Sequence, residues 1–101
     1  MKYLTIIPDY TSSCIKDDFV GQIDIKKLGL PQDYLEALSA WHESYRAIIP
    51  WNDEQRKRKK GEIRSLDEQG LVFSRQLSYL VPGGAKVRYF SEGLMQYIPI
   101  T

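Results

Sequence analysis

One stretch limits what this chain can fold into more than any other: EIRSLDEQGLVFSRQLSYLV, from Glu62 to Val81. Its positions Ile63, Leu66, Gly70, Phe73, Leu77 and Leu80 recur every three or four residues, so on a helix they form one apolar stripe. A stripe of that kind has to face a core. Gly70 interrupts it at a propensity cost of about 1 kcal/mol relative to alanine, which marks a place where another helix or a sheet comes close.

The rest of the chain supplies that second layer. KYLTII, Lys2 to Ile7, is β-branched and aromatic and is ended by Pro8; apolar residues at both parities place it centrally in a small sheet. Asp9 to Asp18 has turn formers, acids and no period, and reads as a loop. Phe19 to Ile25 alternates weakly and fits a short strand or edge segment with a bulge at Gly21. Pro31 and Asp33 then open a helix whose apolar positions Tyr34, Leu35, Leu38, Trp41, Tyr45 and Ile48 share one face, and Pro50 stops it. Asn52 and Asp53 offer oxygens to start a second helix running through the stripe, with Gly61 as its point of kinking or fraying. Pro82, Gly83 and Gly84 end that helix; AKVRYF, the turn SEG and LMQYIPI then read as a strand hairpin. The expected fold is a single α+β domain over residues 1–101, of order β-(β)-α-α-β-β. Two amphipathic antiparallel helices cover one face of a small, mainly antiparallel sheet, and the first strand pairs with one of the last two.

Composition narrows the function classes. With 43% hydrophobic and 27% charged residues the chain is an ordinary globular one. The net charge of +1 conceals a polarity: residues 1–54 carry 5 basic and 9 acidic side chains, net −4, whereas residues 55–101 carry 9 and 4, net +5. The single cysteine, Cys14, excludes an internal disulfide or a thiolate metal cluster. No apolar run reaches the length of a membrane span, and YLTII is stopped too early for a signal peptide, so a cytoplasmic protein is expected.

Several groups could carry chemistry, each with a plainer reading beside it. Arg56, Lys57, Arg58, Lys59 and Lys60 are five consecutive cations, the pattern of a phosphate-binding patch; five consecutive helical residues also point in all directions, and Glu54, Glu62 and Asp67 or Glu68 offset their field. A dedicated nucleic-acid binder would be more basic overall. Cys14 and His42 are the minimum for a thiolate and its base, but no glycine-flanked elbow exposes the cysteine, and His42 falls inside a helix. Asp9, Asp17, Asp18 and Asp24 lack the spacing of a metal loop, and PGGAK lacks the context of a phosphate loop, so no cofactor is expected. Tyr10, Trp51, Tyr97 and Tyr89 fall in loops or on strands with one face open; beside an acidic first half they lean toward protein binding.

The succession IPDY, IDIKKLGLPQDYLEALSAWHESYRAI, then LDEQGLVFSRQL and KVRYF resembles a group of small bacterial proteins, some of them immunity partners of toxins in contact-dependent inhibition and related systems. The resemblance rests on structural motifs, a proline-started helix with W-x-x-x-Y and a helix with an acid-x-x-glycine step before a strand. It implies a non-enzymatic cytoplasmic protein that binds and blocks a cognate toxin domain, often a nuclease. It transfers no contact residues position by position. A nuclease's phosphate cleft is basic, so the expected toxin contacts are Asp9, Tyr10, Asp17, Asp18, Asp24 and Trp51. The alternative is a nucleic-acid module using Arg56 to Lys60, and self-association stays open.

Overall fold

The computed structural model describes residues 1–8 and 13–100. Among these residues five strands form one sheet: β1 (Lys2–Ile6), β2 (Ile15–Asp17), β3 (Gly21–Gln22), β4 (Ala85–Ser91) and β5 (Gln96–Ile98), in the spatial order β3-β2-β1-β4-β5. A short 3-10 helix, Ile25–Leu28, follows β3, and three α-helices come next: α1 (Gln32–Arg46), α2 (Asp53–Arg58) and α3 (Lys60–Leu80).

The first strand is central, as its two-sided apolar pattern requires, and it pairs with β4. That pairing is parallel, with Leu4 opposite Val87 and Ile6 opposite Tyr89, so the sheet is mixed and not mainly antiparallel. The physical reason is the connection: both helical layers intervene between β1 and β4, giving the crossover length that a parallel pair needs. The other three pairings are antiparallel, including the β4–β5 hairpin. Two other expectations are corrected. The stretch Asp9 to Asp18 is not all loop, because Ile15, Lys16 and Asp17 pair with β1. The second helix is not continuous either: it opens at a capping box in which Asn52 and Gln55 exchange bonds, breaks at Lys59 (φ −109°, ψ 30°) and resumes as α3, with exposed Gly61 inside it.

Both long helices lie on one face of the sheet and run antiparallel. The phenol of Tyr34 donates to the Phe73 carbonyl at 2.8 Å and the Trp41 indole to the Leu66 carbonyl at 2.8 Å, so later residues of α1 meet earlier ones of α3. The core between helices and sheet holds Leu4, Ile6, Ile15, Leu38, Trp41, Tyr45, Ile63, Leu77 and Tyr89. On α3 the fully buried line is Ile63, Asp67, Gly70, Ser74 and Leu77, with Leu66, Phe73 and Leu80 half-buried beside it. Gly70 is where the helix touches the sheet: a Cβ there would stand 2.4 Å from the Tyr89 ring, so no other residue fits without displacing that tyrosine.

Candidate functional site

The buried line of α3 carries a carboxylate at its centre. Asp67 is 4% exposed, and its Oδ1 accepts from the phenols of Tyr45 on α1 (2.9 Å) and Tyr89 on β4 (2.6 Å). Its Oδ2 accepts from the Ser91 hydroxyl at the end of β4, at 2.7 Å. Three elements, α1, α3 and β4, thus meet at one side chain. Burial, first of all, holds the phenols of Tyr45 and Tyr89 well above the usual tyrosine pKa; the neighbouring anionic groups push the same way.

The hydroxyls pass this order on to the turn between β4 and β5. Tyr45 Oη accepts from the Gly93 amide at 2.8 Å and Ser91 Oγ from the Leu94 amide at 3.1 Å. From the other side Arg56 reaches across: Nη1 donates to the carbonyls of Glu92 (2.5 Å) and Gly93 (3.3 Å), Nη2 to that of Ile49 (2.8 Å) and Nε to that of Trp51 (2.9 Å). The turn is pressed so closely on the core that a Cβ at Gly93 would meet Ile63 at 2.6 Å and Tyr45 Oη at 2.9 Å. The arrangement fixes four backbone groups of the turn.

The residues singled out from sequence are dispersed by the fold. Asp9 and Tyr10 lie outside the described residues. Asp17 accepts from the amides of Phe19 (2.8 Å) and Val20 (3.0 Å) and holds the turn into β3; those two bonds keep its carboxyl below the ordinary value. Asp18 accepts from Thr5 and pairs with Arg88 at 3.5 Å, and Asp24 caps the 3-10 helix through the Lys26 amide at 3.0 Å. All three sit at the β2–β3 edge, level with the N-terminal ends of β1 and β4. Trp51 sits beside Arg56 near the β4–β5 turn, at the opposite edge and the opposite strand end. The acids and Trp51 therefore do not form one patch.

The basic run is divided as well. Arg56 is spent on carbonyls, Lys59 pairs with exposed Glu62 at 3.5 Å, and Trp51, Arg58 and Lys59 flank one surface hollow while Lys57 and Lys60 line another. Tyr97 is exposed as expected, with Arg88 stacked 4.6 Å over its ring, but Tyr89 is wholly buried. Cys14 and His42 are buried too, at 3% and 6% exposure, and present neither nucleophile nor base to solvent. Among the described residues no group of His, Cys, Asp or Glu is placed to hold a metal ion, and no helix is long and apolar enough to cross a membrane.

Sequence reasoning counted Asp67 as a surface charge offsetting the cations, and missed Tyr45, Ser91, Leu94 and Met95 as a unit. One signal was present: Asp67 falls four residues after Ile63 and three before Gly70, on the stripe itself.

Together these features describe a small α+β protein whose buried polar network reaches a surface turn. Its family follows from its sequence: the pattern of the Serratia CdiI immunity protein-like family matches residues 2–92, and the chain belongs to that family of immunity proteins of contact-dependent inhibition. No curated protein matched the chain.

Proposed function

We propose that the protein neutralises a cognate toxin domain by binding it, without catalysis of its own, and that the toxin is a nuclease whose substrate groove it covers. The single observation that carries this reading is the family match over residues 2–92. The placement of carboxylates supports the nuclease: Asp17, Asp18 and Asp24 share the β2–β3 edge, beside Lys2, Lys27 and Arg88, and carboxylates there suit a basic phosphate cleft, with Asp9 and Tyr10 candidates by sequence alone. Trp51, remote from that edge, joins the contact only through a second patch. The nucleic-acid reading loses support because Arg56 and Lys59 are engaged within the chain.

The test is co-expression in bacteria with the C-terminal domain of the large exported protein encoded beside this chain. Growth should be restored, and the purified pair should form a stable complex in which nucleic-acid cleavage is suppressed. A toxin domain that stays lethal and elutes separately would end the proposal. Asp18→Lys with Asp24→Lys should weaken the complex about tenfold, roughly 1.4 kcal/mol; unchanged affinity would remove the acidic edge from the contact.

A further inference from the structure

We propose that the β4–β5 turn, through Leu94 and Met95, is the anchor by which this protein holds its toxin domain, and that it takes a polypeptide segment combining acidic and apolar side chains. This rests on the immunity reading and assigns the surface that does the holding.

Four observations meet at this turn. Leu94 is 47% exposed and Met95 62% exposed, adjacent in the turn between β4 and β5. Met95 has φ 56°, the left-handed region in which a side chain is strained and glycine or asparagine is the ordinary occupant. It is the only non-glycine residue in that region among those described. Burial does not explain a methionine there, since the side chain lies largely in solvent.

The third observation is the support beneath. Asp67, Tyr45 and Ser91 fix the amides of Gly93 and Leu94, and Arg56 fixes the carbonyls of Glu92 and Gly93. A turn held this way loses little conformational freedom on binding, the general route by which preorganisation raises affinity.

The fourth is what flanks it. One hollow of about 270 Å³ lies between Met95, Leu94 and the cations Lys57 and Lys60, with Asp53 as its single carboxylate. A second, of about 260 Å³, is lined by Ile63, Leu71, Leu94 and Ile98, by the cations Lys60 and Arg64 and by the carboxylates Asp67 and Glu68. None of the ion pairs among the described residues uses Lys57, Lys60 or Arg64. The first hollow therefore suits carboxylates and the second an apolar side chain. Leucine and methionine offer no ring on which a base could stack, which favours a polypeptide over a single-stranded nucleic acid.

The experiment measures affinity between this protein and the catalytically inactivated toxin domain encoded beside it. Met95→Gly relieves the backbone, so it should melt at or above the parent's temperature, yet bind at least 30-fold more weakly. Leu94→Ser should fold normally and lose a similar factor, and Lys57→Glu with Lys60→Glu should lose about tenfold, chiefly through slower association. Tyr79→Ser, which removes an equally exposed apolar side chain far along α3, should change affinity less than twofold. Met95→Gly and Leu94→Ser both binding within threefold of the parent would overturn the anchor while leaving the immunity reading intact. So would binding of a 20-nucleotide RNA that the lysine reversals abolish while toxin affinity stays unchanged. A parent protein with no affinity for the toxin domain would overturn both.

Discussion

At the β4–β5 end of the sheet one buried carboxylate on α3 serves three hydroxyls, one from α1 and two from β4, and two of those hydroxyls serve the turn above. At the β2–β3 end each carboxylate has its own contacts, and Asp17 and Asp24 bond amides two or three residues away. The bonds of Asp67 span 22 to 24 residues in sequence. Local bonds survive in part when the fold loosens; the shared ones exist only when α1, α3 and β4 are all in place. The first end should therefore be cooperative with the whole domain, and the second should yield piecemeal.

Titration separates the two ends most strongly. Tyr45 and Tyr89 at the first end, and Tyr34 between the helices away from both ends, are buried and hold their protons above the usual tyrosine value of 10.0, whereas the unfolded chain releases them near that value. Stability is thus fully present below pH 10 and falls as pH rises beyond it, by up to about 1.4 kcal/mol per pH unit for each group, or about 4 for the three. Asp17 works in the opposite sense: its lowered pKa adds stability above the ordinary 3.8 that is lost as pH falls through the folded value. Thermal melts from pH 3 to 12 should show a steep alkaline limb that Tyr89→Phe makes shallower by one proton, and a slight acid limb. An alkaline limb unchanged in Tyr89→Phe would break the assignment.

Substitution draws the same contrast at fixed pH. Asp67→Ala leaves the hydroxyls of Tyr45, Tyr89 and Ser91 buried without their acceptor, an expected loss of about 3 kcal/mol. For a domain of this size that is a fall in Tm of more than about 12 °C. Asp24→Ala removes one exposed cap and should cost about 0.5 to 1 kcal/mol. Denaturant midpoints would measure both, and equal losses would show that the buried network is no more than a set of independent bonds.

The same difference of range decides what could be read in advance. The helix starts at Pro31 and Asn52, the stop at Pro82 and the central position of KYLTII depend on near neighbours, and the fold keeps them. So does Gly70, whose isolation in a bulky stripe announced the contact that Tyr89 makes. The parallel β1–β4 pair was not legible, because nothing within a strand states the direction of its partner. Asp67 was missed because an acid near a cation run has a sufficient local explanation, and the hydroxyls that bind it lie two dozen residues away. Charge along the chain singled out the acids; what the fold adds is that Asp17 and Asp24 bond nearby amides, that Asp18 pairs with Arg88, and that Leu94, Met95, Lys57 and Lys60 gather around one turn.

The basic run sharpens this lesson at the smallest scale, since five consecutive cations that look alike in sequence differ in what they touch. Arg56 bonds four backbone carbonyls through a planar fork that a lysine ammonium cannot reproduce. Arg56→Lys should therefore cost about 2 kcal/mol, by leaving part-buried carbonyls of the turn and of the α1–α2 connection short of donors. Lys57→Ala, one residue on and exposed, should stay within about 0.5 kcal/mol. The comparison is best made by amide hydrogen exchange together with melting. Arg56→Lys should raise exchange at Gly93 and Leu94 in particular, because their acceptors are held in register by the turn that Arg56 clamps. If exchange rose evenly over the chain, Arg56 would be a general stabiliser, and the turn would owe its shape to Asp67 alone.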